Sequence, residues 1–524
     1  MKEVENLLGL SNQVRSVLEI GLLLLFCLLL FLIFLYSLSQ LHLLISYFRN
    51  DKDLTGFKNL LNLSGEFPNV TIQLPLYNER AVVERLLKNI AIMDYPNDKL
   101  EIQVLDDSTD ESAVLTRALV SELRDSGFDI QYLSRTHRKD FKAGALKEGL
   151  KTAKGEFIAI FDSDFLPQPD WLKRTLPHFR DTRIGAVQTR WGHLNRNYSL
   201  LTKMQAFALD YHFILEQNGR NRSGNFINFN GTAGIWRKDC IRKAGNWQGD
   251  TLTEDLDLSY RAQLKNWKFK YLEAVETPAE LPITIQAVRS QQFRWNKGAA
   301  ENFQKNFRKI IHAKGLSLET RIHCFFHLLN SSLFLLILIL SILSFPILLL
   351  AGREEYVLFF DLMLFFGLSS LIFFLSYWVS YSRIHGKGFR NFLAFLGMFL
   401  SFFSIAMGFS LHNSKAVLQG HWGIKSKFIR TPKFNVREKG TSSPIIEAAP
   451  KKKLGKPDLQ LMLEILLLLY FSFAIFMAFR LESYSLLLFH LMLVFGFGFV
   501  VIQSLIEIIF ARKIPSFEIS KRRQ

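Results

Sequence analysis

Cysteine is scarce in this chain, with Cys27, Cys240 and Cys324 the only three among 524 residues. They are scattered, which excludes a disulfide framework or a zinc motif and leaves them as buried, inert thiols. The first apolar run is too long and too far from the start for a secretory signal, and no small-residue cleavage site follows it. No internal repeat is present. Acidic residues are in deficit, 47 against 64 Lys and Arg, for a net charge of +17. Much of the basic excess lies in loops beside apolar runs rather than as a patch on one folded module, so nucleic acid is not an expected partner.

What the chain has in abundance is apolar length. Hydrophobic residues make up 49%, and Phe alone contributes 49 positions. A helix needs about 20 consecutive apolar residues to cross a bilayer. Ile20–Tyr47, Cys324–Ala351, Tyr356–Tyr381, Leu459–Phe479 and Tyr484–Phe510 meet that length. The chain reads as an integral multi-pass membrane protein with the lipid bilayer as a partner. Basic residues concentrate at Arg383–Arg390, Lys415–Lys456 and Lys521-Arg522-Arg523, which places all three segments inside. A sixth run, Phe389–Leu411, would separate two of these basic segments if it crossed. It is therefore expected to re-enter or lie in the interface, leaving five spans.

The expected organisation follows. Residues 1–50 hold the first span and 51–283 a cytoplasmic catalytic domain. Residues 284–320 form amphipathic interfacial helices, 321–382 two spans, and 383–457 the interfacial segment and a loop. Two more spans fill 458–511, and a basic tail occupies 512–524. Within the domain, Val70–Leu74, Glu101–Leu105, Asp129–Leu133 and Phe157–Phe161 read as strands. Helical patterns alternate with them at Asn78–Ile90, Glu111–Arg124 and Lys142–Ala153. Such alternation implies an α/β, Rossmann-like domain with a mostly parallel sheet, inserted between transmembrane α-helices. Ligands of such sheets sit at the carboxyl ends of strands.

Two acidic pairs fall at those ends. Asp162-Ser163-Asp164 follows the wholly apolar strand Phe157–Phe161 and suits a divalent ion, Mg2+ or Mn2+, held by carboxylates and substrate phosphates. Asp106-Asp107 reads either as a helix cap or as acceptors for a nucleoside. Lys142 and Gly144 open a helix whose free N–H groups suit phosphate. Thr253-Glu254-Asp255 starts a helix, either as a capping motif or with Asp255 as a general base toward an acceptor hydroxyl. In Gln291-Gln292-Phe293-Arg294-Trp295, Arg294 suits a diphosphate and Trp295 the apolar face of a sugar, against the alternative of an interfacial Trp with a snorkelling Arg.

Taken together, these motifs resemble the processive family 2 glycosyltransferases of the cellulose synthase superfamily, nearer to the cellulose synthase-like mannan and glucan synthases and their bacterial relatives. The likeness covers about Val70–Gly298 and resumes at Arg430–Val436. It implies a GT-A fold and a nucleotide-sugar donor contacted by Asp106, Asp107, Lys142, Gly144, Asp162, Gln291 and Arg294. Asp162 and Asp164 would hold the metal, and Asp255 beside Glu254 would be the base. Phe229, Asn230, Gly231 and Trp295 would meet the growing polysaccharide acceptor. Phe434, Val436 and Lys439 resemble a gating loop, although Arg437 stands where the bacterial loop carries Thr. No cyclic-dinucleotide-binding domain is expected in this chain.

The function these features imply is an inverting, processive transferase. It would polymerise a β-linked hexan, a β-1,4-mannan, glucomannan or β-glucan, from GDP-mannose or UDP-glucose and translocate it. The location expected is a bacterial inner membrane, or a Golgi membrane in a eukaryote. Transfer of a single sugar to a polyprenyl phosphate or other lipid is the alternative, and a transporter with a nucleotide-binding domain is a third.

Overall fold

The computed structural model describes residues 12–49, 67–351, 353–426, 428–436 and 459–513. A long helix α1 (Asn12–Phe48) precedes an α/β domain. In chain order the domain runs β1 (Val70–Leu76), α2 (Val83–Ala91), β2 (Leu100–Asp106), α3 (Ser112–Asp125), β3 (Asp129–Leu133), α4 (Phe141–Thr152) and β4 (Phe157–Ile160). It continues with β5 (Ile184–His193), α5 (Leu200–Asp210), β6 (Gly234–Arg237), α6 (Glu254–Gln263) and β7 (Lys268–Ala279). The expected strands and helices of the first half all form, with ends shifted by at most two residues, except that the helix expected from Asn78 begins only at Val83, after a turn in which Asn78 takes φ +55°.

The seven strands make one sheet in the order β3-β2-β1-β4-β6-β5-β7. The first four pair in parallel, β6 runs antiparallel to both its neighbours, and β5 pairs with β7 in parallel. Every residue of β2 and β4 is buried because helices cover both faces of the sheet. One face packs Val83, Leu86, Leu87 and Ile90 of α2 against Ile72, Leu74 and Val104. The other packs Leu146 and Leu150 of α4 and Leu258 of α6 against Ile158 and Ile160. Parallel strands on this sheet therefore end at one edge, where their carboxyl ends carry Asp106-Asp107 and Asp162.

After the domain comes the 28-residue helix α7 (Ile285–His312), whose first amides are capped by Glu507 from the last helix. Then follow α8 (Leu318–Leu350), α9 (Glu354–His385), α10 (Phe389–Gly408), α11 (Ser410–His421), α12 (Leu459–Arg480) and α13 (Leu487–Lys513). Among the described residues six helices, α1, α8, α9, α10, α12 and α13, are long and apolar enough to cross a membrane, which fits a multi-pass membrane protein. Helices α10 and α13 touch backbone to backbone: a Cβ on Gly496 would lie 1.8 Å from the Ser404 carbonyl oxygen. Small residues permit such close approach. A buried ion pair ties α7 to α12, with Arg289 Nη2 donating to both oxygens of Glu464 at 2.9 and 2.7 Å.

Candidate active site

A single cleft opens at the carboxyl edge of the sheet, between the domain and α7. Asp107, Lys142, Asp162, Asp164, Asn230, Gly231, Glu254, Asp255, Gln291, Arg294 and Trp295 all line it. Segments almost 190 positions apart thus meet around one space. Three other named residues stand behind its wall. Asp106 is buried, accepting from Ser108 N at 2.9 Å and from the Tyr132 hydroxyl at 3.1 Å. Gly144 packs α4 against the Lys139 carbonyl and Arg135, and Arg135 in turn grips Asp107. Phe229 is in the core with Trp236 and Trp247.

Helix α7 sets the geometry of the far wall. Gln291, Arg294 and Trp295 are spaced i, i+3 and i+4 and so share the helix face that borders the cleft. One turn on, Gly298 lets the helix touch Thr253, where a Cβ would come within 2.5 Å of the Thr253 hydroxyl. Asn302 then donates to the Thr253 carbonyl at 3.1 Å and to its hydroxyl at 2.9 Å. Thr253 is therefore spent on α7 and makes no side-chain cap on α6. The result is that Glu254 and Asp255 are pinned at the start of α6, facing the cleft.

Charge is concentrated there. Burial raises the Asp255 carboxyl above its ordinary range, and neighbouring Glu254 raises it further, with Lys142 opposing. Burial raises Glu254 in the same way. Such a carboxylate is poised to accept a proton nearer neutrality than a surface aspartate. Lys142 binds Asp162 and donates to the Gly231 carbonyl at 2.9 Å. Gly231 sits at φ +79°, and a Cβ on it would lie 2.8 Å from Asp255 Oδ2. That left-handed glycine is what brings the Asn230-Gly231 loop onto Asp255.

Asp164 is nine-tenths buried or more, and its Oδ2 accepts from Lys433 Nζ at 2.6 Å. Its Oδ1 has no hydrogen-bond partner among the described residues. An orphaned buried carboxylate oxygen beside Asp162 fits a hard divalent cation, which takes oxygen ligands. The residues present therefore fit the expected Mg2+ or Mn2+.

Sequence reasoning missed several residues at the cleft. Lys433, Arg430 and Thr431 reach it from the segment before residue 437: Arg430 pairs with Glu79 at 2.6 Å, and Arg294 Nη2 donates to Thr431 at 2.7 Å. Burial pushes Glu79 up to about 8 against the opposing charges of Arg430 and Lys433. Glu280 accepts from Phe434 N at 2.7 Å, so Phe434 and Val436 are buried beside the cleft rather than lining it. Lys439 lies outside the described residues. Trp191, His193, Tyr77 and Arg138 also border the space, with Arg138 stacked 3.3 Å over the Tyr77 ring. Two signals were available for Glu79: its place three residues past a strand end, and its membership of the segment Gln73–Glu79 that shares the family resemblance.

Residues 68–298 match the family described as glycosyltransferase like family 2. Glucomannan 4-beta-mannosyltransferase 1 of Oryza sativa subsp. japonica is 42% identical over 266 residues, covering 50% of this chain and 51% of that protein. Glucomannan 4-beta-mannosyltransferase 2 of Arabidopsis thaliana is 42% identical over 265 residues, covering 50% of each. The chain thus spans about half the length of the curated relatives it matches. Among solved structures, a mannosyltransferase from Pyrobaculum calidifontis in complex with GDP-Man and Mn2+ aligns with 77% of this chain and 100% of its own. Its identity is 18% and its TM-score 0.49. The region that forms the sheet and carries Asp162, Asp255 and Arg294 lies within these matched residues and is similar to the glycosyltransferase like family 2.

Proposed function

We propose that this protein is a membrane-embedded, inverting, processive hexosyltransferase that builds a β-1,4-mannan or glucomannan. GDP-mannose is the leading donor and UDP-glucose the second. The observation that carries this reading is the convergence of Asp162, Asp164, Asp255, Arg294 and Trp295 on one cleft beside apolar helices. The names of the matching relatives support mannose as the sugar.

In this reading Asp255 takes the proton of an acceptor hydroxyl as that oxygen attacks the anomeric carbon from the face opposite the leaving group. The bond to the nucleoside diphosphate breaks in the same displacement, which inverts the centre. Arg294 and Lys142 neutralise the departing diphosphate, and no acid is needed for it. Asp162 and Asp164 would hold the divalent ion, which would supply charge stabilisation on the phosphates. Asp107, fixed by Arg135, and the Arg138–Tyr77 stack form the nucleoside end. Trp295 offers its ring to the acceptor sugar.

The domain lies on the cytoplasmic side, and α10 lies in the interface rather than crossing. Both flanks of α10 support this. Before it, Arg383 Nε donates to Glu273 of β7 at 2.9 Å. After it, His412 contacts the Arg289 carbonyl of α7 at 3.0 Å, and Asn413 donates to Gln292 at 2.8 Å. A helix whose two ends meet the same domain-side layer leaves five spans.

The test is nucleotide release by the purified full chain across donor sugars. GDP-mannose should give the highest rate, and release from no donor would overturn the proposal.

A further inference from the structure

Between Tyr211 and Glu216 the helix continuing from α5 opens into one π-helical turn before resuming at Gln217–Ser223. Such turns are rare and occur frequently at functional sites. This one connects His212, Glu216 and Gln217 to Asn230, which borders the cleft next to the glycine that touches Asp255.

The hydrogen bonds in this group fix one another's direction. Gln217 Nε2 donates to the Asn228 carbonyl at 2.9 Å, and Gln217 Oε1 accepts from Asn228 N at 3.3 Å. The backbone therefore dictates which end of the Gln217 amide is which. Its Nε2 also faces Asn230 at 2.7 Å, so the facing atom must be the acceptor Oδ1. That turns Asn230 Nδ2 toward His212 Nε2 at 3.1 Å, and this ring nitrogen must accept. His212 Nδ1 then carries the hydrogen and donates to Glu216 Oε2 at 2.8 Å. Burial raises Glu216, but the Arg220 guanidinium and the hydrogen bond from His212 outweigh it and hold its carboxyl below the ordinary range. The backbone is held too, since Asn230 N donates to Gln188 Oε1 at 2.9 Å. After these bonds Asn230 retains one N–H with no protein partner among the described residues.

With Asn230 in the acceptor role that the family resemblance gives it, we propose that His212 is the positioning residue that directs this remaining N–H toward a hydroxyl of the acceptor sugar beside the base. The inference rests on the polysaccharide-synthase reading above and adds a residue from outside the cleft. A defined donor at this point would select the rotation of the terminal sugar so that its reacting hydroxyl faces Asp255. Misdirecting the amide weakens acceptor binding without touching the donor site.

The experiment uses the full chain in detergent with GDP-mannose and a short β-1,4-manno-oligosaccharide as acceptor. His212→Asn places its polar atoms where Nδ1 was but has none at the Nε2 position. Loss of one directed hydrogen bond should raise the KM for the oligosaccharide about tenfold, with the KM for GDP-mannose and kcat at saturating acceptor within about twofold. His212→Gln puts an oxygen near the lost Nε2 and should restore the acceptor KM to within about threefold of wild type. Calorimetric titration of the oligosaccharide should move in parallel. Equal acceptor KM values in wild type and His212→Asn, or a change confined to kcat and the donor KM, would overturn the positioning role alone. If wild type neither binds nor extends the oligosaccharide yet transfers mannose elsewhere, the synthase reading falls with it.

Discussion

Replacing Asp255 by Asn tests the base assignment with little structural disturbance. The side chain keeps its volume, and the oxygen that accepts from Leu256 N at 2.8 Å remains. The other oxygen, over Gly231, becomes an amide nitrogen. Because burial disfavours the Asp255 charge, the neutral amide removes an unfavourable term, and thermal stability should hold or rise. A positioned general base contributes typically about 10²–10⁴ in rate, or roughly 3–5 kcal/mol of barrier. Sugar transfer should therefore fall at least about a hundredfold, while equilibrium binding of the donor nucleotide stays within about threefold. The paired assays are nucleotide release and nucleotide binding on the same purified sample. Turnover within about tenfold of wild type, with the fold intact, would refute the assignment.

Further outcomes follow from the structure. The acidic limb of the rate profile should lie above the ordinary aspartate range of about 3.9, because Asp255 is raised and must be deprotonated to act. Glu254→Gln removes one cause of that rise, so the limb should move to lower pH, and an upward move would contradict the electrostatics. Lys433→Met frees Asp164 of its ammonium partner and should tighten Mn2+ binding measured by electron paramagnetic resonance, whereas Asp164→Asn should weaken it. Unaltered Mn2+ affinity in both would remove Asp164 from the metal site. Arg289→Met leaves the buried Glu464 carboxylate without its guanidinium, although Gln460 still donates to it at 2.9 Å, costing about 3–5 kcal/mol of stability in thermal unfolding. The double variant with Glu464→Leu should recover most of the loss, and its failure to do so would show that the pair does not anchor α7.

The first half of the sheet was legible because its strands are short runs rich in apolar residues, two of them ending in acidic pairs, and its helices carry apolar residues at i, i+3 and i+4. Asp129–Leu133 appears unchanged as β3. The second half was not read from periodicity. In β5 the end that reaches the cleft carries Trp191 and His193, and β7 is laced with Lys and Glu, so function and exposure break the alternation a half-buried strand would show. The acidic motifs were visible one by one, but which of two adjacent aspartates faces the cleft depends on strand pleat and on Arg135, 28 positions later. Lys433 and Glu280 were beyond reach for a related reason. Each acquires meaning only through a partner more than 150 positions away. The π-helical turn at Tyr211–Glu216 has no composition of its own, and only its hydrogen bonds reveal it.

Product analysis tests the central claim most directly. The purified full chain, supplied with labelled GDP-mannose and a divalent ion, should convert the label into a long carbohydrate cleaved by an endo-β-1,4-mannanase. Asp255→Asn should make none. Label recovered solely as one sugar on a lipid, or equal polymer from the variant, would contradict the account.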